Sequence, residues 1–258
     1  MESTPSVPAP APGLVAESLH AGNLLFRWRS YPPLVIMAYV VVLVARHPVP
    51  AGGVEAQRLW AVLGLACGLL GLAVRGWTVG HVPLGTSGRG TKELRAETLN
   101  TEGLYSQVRH PLYLGNYFMW IGVAVLAGKP TAILVTTLAF WLYYERIMMA
   151  EERFLWERFG DVFGAWASET PPFVPRLRGW RPWPYPFSFR FVLGRDYQAL
   201  YGFVAATTAV VLTRSVASGA GWRLSTVWAA YFGAGTLSYV VLHGLKRRTR
   251  LLEPVGDR

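Results

Sequence analysis

Six apolar segments follow one another along the chain, separated by polar stretches of very different length. They cover residues 32–45, 59–79, 112–128, 131–149, 197–213 and 224–243. A helix needs about 20 apolar residues to cross the hydrocarbon core of a bilayer, and most of these segments approach that length. The pattern therefore predicts an all-α fold, a polytopic membrane bundle of about six transmembrane helices.

The polar stretches between the segments predict how the chain is organised. The first residues, MESTPSVPAPAPG, are rich in Pro and Ala and lack the pattern of a signal peptide, so residues 1–23 are predicted to be a disordered tail. The rest is predicted to be a single membrane domain, 24–258. It has two spans in 24–79, a central region in 80–196 that contains a tight helical hairpin at 112–149, and an additional pair of spans in 197–258.

The distribution of basic residues predicts the orientation of the bundle. Most Lys and Arg residues lie near the two termini and in the two long polar segments, 80–111 and 150–196. By the positive-inside rule, these parts are predicted to be cytoplasmic. Arginine greatly outnumbers lysine, which is typical of GC-rich bacterial genomes. We therefore expect a protein of a bacterial inner membrane with its long polar segments at the cytoplasmic face.

Composition narrows the possible partners. Hydrophobic residues make up 52% of the chain and charged residues 16%, so the net charge of +10 sits in a strongly apolar protein. No nucleic-acid-binding motif accompanies this charge, and the apolar segments favour lipid as the partner. Cys67 stands alone and the five histidines are scattered, so neither a disulfide nor a metal site is expected.

Polar side chains cluster at both feet of the predicted hairpin. Arg109, His110 and Tyr113 stand at the first foot, while Glu151 and Glu152 follow the second helix. His110 and Tyr113 are three residues apart and share a helix face. Because ionisable residues at the edge of a membrane helix usually face a cavity or a partner, a polar pocket is predicted. A purely structural Arg–Glu pair that pins the hairpin fits the same spacing.

A second feature is the stretch PPFVPRLRGWRPWPYPFSFRF, in which Pro, Arg and aromatic residues alternate. Its prolines exclude a continuous helix, and its Arg and aromatic residues suit the headgroup layer of a membrane. Arg178, Trp180 and Arg181 are the candidate contacts for a lipid headgroup, because arginine binds phosphate and carboxylate groups bidentately. A simple anchoring belt is the alternative interpretation.

Taken together, "GLYSQVRHPLYLG", the apolar hairpin and "AEERFLWERFGDVFGAW…FVP" resemble the membrane methyltransferases related to isoprenylcysteine carboxyl methyltransferase, and more distantly the phospholipid N-methyltransferases. The resemblance covers about residues 80–176. The positions that match are Gly103, Tyr105, Val108, Arg109, His110, Pro111, Tyr113, Gly115, Glu151, Glu152, Leu155, Phe159, Gly160, Val174 and Pro175.

The resemblance implies methyl transfer from S-adenosylmethionine, with a cofactor-binding catalytic core in 80–196 and an active site at the cytoplasmic face. It also implies that the two feet wrap the cofactor and that the lipid substrate arrives sideways from the bilayer. The residues that it implies for cofactor binding are Tyr105, Val108, Arg109, His110, Tyr113, Gly115, Glu151 and Glu152. Arg109 and Glu152 are the implied catalytic residues. Arg109 and His110 are expected to face the cofactor's carboxylate, and the glutamates its amine or ribose.

The acceptor stays open at this point. Phe163-Gly164-Ala165-Trp166 stands where the family usually has Tyr-x-x-Tyr, a region where substrate recognition is expected. We predict a membrane-lipid or lipidated acceptor with an anionic headgroup, either phosphate or carboxylate. The alternatives are an NADPH-dependent enzyme similar to membrane sterol reductases and a non-enzymatic membrane scaffold. Neither the oligomeric state nor the role of the last two spans follows from the sequence.

Overall fold

The computed structural model describes residues 13–83, 96–249 and 251–252, and within these ranges every regular element is helical. In chain order the α-helices are α1 Leu14–Arg27, α2 Pro32–Arg46, α3 Gln57–His81, α4 Pro111–Leu126, α5 Pro130–Phe159, α6 Asp161–Glu169, α7 Phe189–Ala217 and α8 Thr226–Arg248. Two short 3-10 helices, Val54–Ala56 and Gly103–Ser106, precede α3 and α4. The all-α membrane-bundle prediction is confirmed.

The helices differ in how well they suit a bilayer. Three are long and apolar enough to cross it: α3 with the preceding short helix, α5 and α7. Helices α1 and α2 meet at a bend of 78° and together would add a fourth span. Helix α4 is apolar but spans only ~24 Å at 1.5 Å per residue, and Gly, Ser, Thr and His interrupt α8. Six spans and cytoplasmic termini therefore stay predictions.

The N-terminal region is more ordered than its composition predicts. Residues 1–12 of the predicted tail lie outside the described residues, but residues 14–23 form most of α1. This helix packs along α5, where Gly22 faces the backbone of Arg146 so closely that a Cβ atom would collide with it. Phe26, at the end of α1, is buried in a cluster of aromatic side chains. The contact with α5, which the local composition does not reveal, explains why these residues are helical.

Helices α3 and α4 approach each other through paired glycines. A Cβ atom on Gly64 would lie 2.6 Å from the carbonyl oxygen of Gly122, and one on Gly115 would lie 2.8 Å from that of Gly71. Small residues at such contacts let membrane helices pack backbone to backbone. The close packing fixes the first foot of the hairpin against the end of α3.

At the opposite end of the bundle, a buried arginine closes the end of α4. The guanidinium of Arg214 on α7 donates to the carbonyl oxygens of Leu126 at 3.3 Å, Ala127 at 2.6 Å and Pro48 at 3.2 Å. The last carbonyls of a helix have no partner within it, and a cation there also interacts favourably with the helix dipole. Arg214 thereby ties α7 to the α4–α5 turn.

The polar end of the bundle brings together the end of α3, the start of α4, the second half of α5 and the start of α7. Helix α5 has 30 residues, about ten more than a span requires, and its last turns carry Glu151 and Glu152. The backbone N–H of Ser188, just before α7, donates to the carbonyl of Gly80 at 2.8 Å. This end is where the candidate site lies.

Candidate active site

The two long polar segments meet beside the first foot of the hairpin. The backbone N–H groups of Arg109 and His110 donate to the carbonyl oxygens of Pro171 at 2.9 Å and Pro172 at 3.2 Å. Proline has no N–H of its own, so it can act only as an acceptor in this contact. The pairing holds the Arg–His sequence in a fixed orientation at the start of α4.

Trp183 holds the other side of the loop that precedes α4. Its ring stacks on His81 at the end of α3, with ring centroids 4.6 Å apart and an interplanar angle of 7°. Gly103 lies directly against this ring with a φ of +58°, a backbone conformation that favours glycine, and a Cβ atom there would overlap the indole. The loop before α4 is therefore clamped between α3 and the segment that follows α6.

Glu152 joins the two feet of the hairpin. Its Oε2 atom lies 2.6 Å from Nη1 of Arg109, and its Oε1 atom lies 2.9 Å from Nε2 of His110. The Arg–Glu pair between the two feet, which the sequence analysis gives as the structural alternative, is thus present. Because both carboxylate oxygens are engaged by donors, Glu152 is held in one orientation.

Glu151 occupies the neighbouring position with a different set of partners. The hydroxyl of Tyr113 donates to its Oε1 atom at 2.5 Å, and Nδ1 of His110 lies 3.5 Å from its Oε2 atom. His110 and Tyr113 stack with ring centroids 5.6 Å apart, as expected for residues on one helix face. The imidazole of His110 therefore lies between both carboxylates.

The two carboxylates control the charge of His110. Burial alone would lower the pKa of this imidazole, but the hydrogen bonds and charges of Glu151 and Glu152 outweigh burial and raise the pKa above its usual 6.5. The positively charged form is therefore favoured more than in a free imidazole at the same pH. Burial also raises the pKa of Tyr105, with a smaller contribution from the Glu151 charge, so its phenol remains a proton donor.

A cavity of about 420 Å³ opens beside these residues. Both feet of the hairpin line it, and the departures from the family pattern, Phe163 and Trp166, lie in its wall. This volume lies within the ~300–1,000 Å³ that is usual for small-molecule and cofactor sites. Of the residues expected to bind a cofactor, those that line the cavity are Tyr105, Arg109, His110, Tyr113, Glu151 and Glu152.

Two of the residues that were expected to bind the cofactor do not line the cavity. Val108 is completely buried and does not line the cavity. Gly115 lies at the contact between α3 and α4, where a side chain would meet Arg75 and the backbone of Gly71. Both residues pack inside the protein, because the side of α4 and of the preceding loop on which they lie faces the interior.

The three residues expected to hold a lipid headgroup are not part of the cavity wall. Arg178 and Trp180 are exposed, and Arg181 is half-exposed and lies 3.6 Å from Glu169. These residues are exposed because the backbone of their stretch pairs with residues 103–110, which places the stretch on the outer side of the loop. Their contact with a headgroup layer stays a prediction.

The structure adds a polar network that the spacing of residues did not reveal. Arg75 of α3 donates from Nε and Nη2 to both oxygens of Asp196 of α7, at 3.0 and 2.7 Å. Its Nη1 atom donates to Asn116 at 2.5 Å, and Asn116 donates to the Tyr144 hydroxyl at 2.9 Å. All four residues line the cavity. The available signal was the charge of Arg75 inside an apolar segment.

Within the described ranges, no group of three His, Cys, Asp or Glu side chains has a geometry suited to a metal ion. Two arginines of the cavity wall, Arg75 and Arg109, instead form ion pairs with Asp196 and Glu152. The buried Nε–H group of Arg109 has no partner among the described residues, so it can donate a hydrogen bond to a ligand.

Comparison with known proteins points to one family. Residues 59–162 match the family model described as phospholipid methyltransferase. The nickel-cobalt-cadmium resistance protein NccN of Alcaligenes xylosoxydans xylosoxydans is 30% identical over 176 residues, which is 67% of this chain and 73% of the relative. The cobalt-zinc-cadmium resistance protein CzcN of Cupriavidus metallidurans is 37% identical over 119 residues, 45% of this chain and 51% of that protein.

The protein-S-isoprenylcysteine O-methyltransferase of Schizosaccharomyces pombe is 31% identical over 88 residues, which is 34% of this chain and 37% of the enzyme. The matched region thus spans about half of CzcN and little more than a third of the yeast enzyme. No solved structure matches the chain. The region that the family model matches includes both feet of the hairpin, which form part of the polar wall of the cavity.

Proposed function

Because the chain belongs to the isoprenylcysteine carboxyl methyltransferase-like and phospholipid methyltransferase family, we propose that it transfers a methyl group from S-adenosylmethionine to a membrane-lipid or lipidated acceptor with an anionic headgroup. The observation that carries this proposal is the single cavity lined both by Arg109 and His110 and by Glu151 and Glu152. The two sequence halves that resemble the family's cofactor motif therefore face one space.

The donor set of the cavity fits this cofactor. S-adenosylmethionine carries a carboxylate, an amine, a ribose diol and a cationic sulfonium, so it requires both cationic and anionic partners. Arg109, whose Nε–H group has no partner among the described residues, and His110, whose pKa is raised, suit the carboxylate. Glu151 and Glu152 suit the amine or the diol, and the aromatic wall around Tyr113 suits a sulfonium. When bound, the cofactor would supply an electrophilic methyl group.

The residues of the chain would contribute mainly orientation and a dry environment. Arg109 and His110 hold the Glu152 carboxylate in one orientation. Phe163 and Trp166 cover part of the cavity with apolar surface, which would help to exclude water from a bound cofactor and acceptor. In a displacement reaction, holding the two reacting groups in contact supplies much of the acceleration.

The proton requirement depends on the acceptor. A phosphate or carboxylate acceptor is already anionic and needs no general base. An amine acceptor must lose a proton, and Glu152 is the candidate to accept it, because it is a fixed carboxylate in the cavity wall. The anionic acceptor is the one that the cavity's basic residues favour.

The position of the site supports a cytoplasmic active site in a bacterial inner membrane. The cavity lies at the end of the bundle that joins the two long, arginine-rich segments. Such segments are retained on the cytoplasmic side of a membrane.

The proposal is tested by transfer of a tritiated methyl group. Purified protein in nanodiscs made with total bacterial lipid is expected to label one lipid class from S-adenosylmethionine, and mass spectrometry of that class then identifies the acceptor by one added methylene. Replacing Glu152 by Gln is expected to reduce the rate by about 10- to 100-fold, since a hydrogen bond to a charged group contributes ~1.5–3 kcal/mol. Glu157→Gln, an exposed glutamate one turn further along α5, is the control. Absence of label in every lipid and lipidated peptide offered would refute the proposal.

A further inference from the structure

The cavity has a second polar layer, which lies deeper in the bundle than the two feet of the hairpin. Tyr144 and Glu151 both line the cavity and are seven residues apart on α5. At 1.5 Å per residue they lie about two turns, or ~10 Å, apart along the helix axis. We call this second set of residues the deep layer; it consists of Arg75, Asn116, Tyr144 and Asp196. None of the four is among the positions that match the family pattern.

The hydrogen bonds of the deep layer run in one direction. An arginine side chain can only donate, so Arg75 donates to both oxygens of Asp196 and to the side-chain oxygen of Asn116. This contact fixes the orientation of the Asn116 amide, because its NH2 group must then face Tyr144. The NH2 group donates to the phenol oxygen of Tyr144 at 2.9 Å. Every donor and acceptor in the layer therefore follows from the guanidinium of Arg75.

The hydroxyl proton of Tyr144 has no acceptor among the residues that the structure describes. Its oxygen accepts from Asn116, and an amide NH2 group cannot accept a hydrogen bond in return. The ring itself is held in place, because it packs on Phe140 with centroids 4.2 Å apart and on Tyr113 with centroids 4.7 Å apart. Tyr144 is only 5% exposed, yet it lines the cavity. Its hydroxyl thus presents one oriented hydrogen-bond donor to a molecule in the cavity.

A single oriented donor distinguishes between classes of methyl acceptor. A carboxylate or phosphate group has at least two oxygens, so one oxygen can accept from Tyr144 while another reacts. An ammonium group carries only donors, and its protons would face the proton of Tyr144. Arg75 and Asp196 pair with each other, so the deep layer has no net charge. The selection is therefore made by the direction of a hydrogen bond and not by an excess of charge.

We propose that Tyr144 determines acceptor specificity: its hydroxyl, oriented by the other three residues of the deep layer, donates to the non-reacting oxygen of an acceptor carboxylate or phosphate. This inference rests on the proposed methyltransferase function and makes the product an O-methyl compound. The reacting oxygen forms a bond to the methyl carbon as the bond from that carbon to the sulfonium sulfur breaks, and the electron pair of the broken bond stays on sulfur. No proton is transferred, so Tyr144 keeps its own. Arg75, Asn116 and Asp196 act through Tyr144 and are positioning residues.

Two neighbouring tyrosines provide a matched test. Tyr144→Phe removes only the proposed donor, whereas Tyr143→Phe removes a hydroxyl that donates to the Leu25 carbonyl at 3.0 Å and is not part of the cavity wall. Methyl transfer is measured with tritiated S-adenosylmethionine in nanodiscs of total bacterial lipid diluted to increasing extents with phosphatidylcholine. Tyr144→Phe is expected to lower kcat/KM for the lipid fraction at least about tenfold, as for a lost hydrogen bond to a charged group. Tyr143→Phe is expected to keep the wild-type value, and both variants the wild-type Kd for S-adenosylmethionine.

Asn116→Asp tests the orientation of the hydroxyl while keeping every aromatic ring. The introduced carboxylate accepts from Arg75 and also from Tyr144, so the Tyr144 proton turns away from the cavity. This variant is expected to slow transfer as much as Tyr144→Phe does, and the double variant is expected to be no slower than either single variant. Independent effects on stability would instead add in the double variant.

The labelled product tests the class of acceptor. Exhaustive hydrolysis of the labelled lipid is expected to release the tritium as methanol, because a methyl ester or methyl phosphate is cleaved. A methyl group on nitrogen would be retained.

Equal kcat/KM of the two Phe variants, additive losses in the double variant, or tritium retained on nitrogen would overturn the inference. So would an equal loss of S-adenosylmethionine affinity in Tyr144→Phe, because the oxygen bound by Tyr144 would then belong to the cofactor. If the wild type binds S-adenosylmethionine and labels a lipid, such results leave the proposed function intact and only the role of Tyr144 is wrong. If the wild type does not bind the cofactor, the methyltransferase proposal fails and this inference fails with it.

Discussion

Replacing Asp196 by Asn is expected to destabilise the protein strongly, because it leaves the Arg75 charge without its bidentate partner. The two hydrogen bonds measure 3.0 and 2.7 Å, and the side chains are only 15% and 9% exposed. Removing one member of a buried ion pair costs about 3–5 kcal/mol. We expect the low end of this range, about 3 kcal/mol, because the pair borders a cavity.

Thermal unfolding in detergent measures this loss, which corresponds to a decrease in Tm of roughly 6–12 °C for a chain of this size. Glu157→Gln is the matched control, since Arg153 and Glu157 form an equally short pair of 2.6 Å with side chains 30% and 54% exposed. Such helical surface pairs contribute only ~0.3–0.5 kcal/mol.

A double replacement tests the cause. In Arg75→Met with Asp196→Leu, no charge is left unpaired, so the double variant is expected to be more stable than Asp196→Asn alone. If Asp196→Asn lowers the Tm no more than Glu157→Gln does, the reasoning about a buried pair between α3 and α7 is refuted.

Three further changes test other parts of the structure. Gly64→Ala is expected to cost ~1–3 kcal/mol in detergent unfolding, because its Cβ would lie 2.6 Å from the Gly122 carbonyl, whereas Gly233→Ala meets nothing within 4 Å and should be neutral. Arg214→Met is expected to cost at least ~1.5–3 kcal/mol, since three carbonyls lose a charged donor. The stability advantage of the wild type over His110→Asn is expected to be complete below about pH 6.5 and to decrease as the pH rises through the raised pKa of the folded protein. Unfolding curves of the two proteins at several pH values measure this stability difference. A difference that does not change with pH would contradict the prediction.

The order of apolar segments was enough to predict the helices of the bundle. Each of the six predicted segments corresponds to one helix, from α2 to α8, with α6 as an addition in the second long segment. Prediction succeeds here because lipid requires every backbone polar group to be bonded within the helix, so apolar length alone indicates a helix. The same pattern did not predict α1, because this helix depends on a contact with α5, whose residues lie more than a hundred positions away.

The site was only partly predictable for a similar reason. The spacing of residues predicted that His110 and Tyr113 share a helix face, and the resemblance added the two glutamates. In the structure all four side chains line one cavity. Arg75 and Asp196 are 121 residues apart, and no local pattern joins them. The exposure of Arg178 depends on backbone pairing with an earlier loop, which composition cannot show.

Isothermal titration of the purified protein with S-adenosylmethionine and with NADPH tests the central claim most directly. The account predicts that S-adenosylmethionine binds to the wild type and to Glu157→Gln with similar Kd, that Glu152→Gln weakens this binding at least about tenfold, and that NADPH gives no saturable heat. Saturable binding of NADPH without binding of S-adenosylmethionine, or equal affinity of Glu152→Gln and the wild type for S-adenosylmethionine, would contradict it.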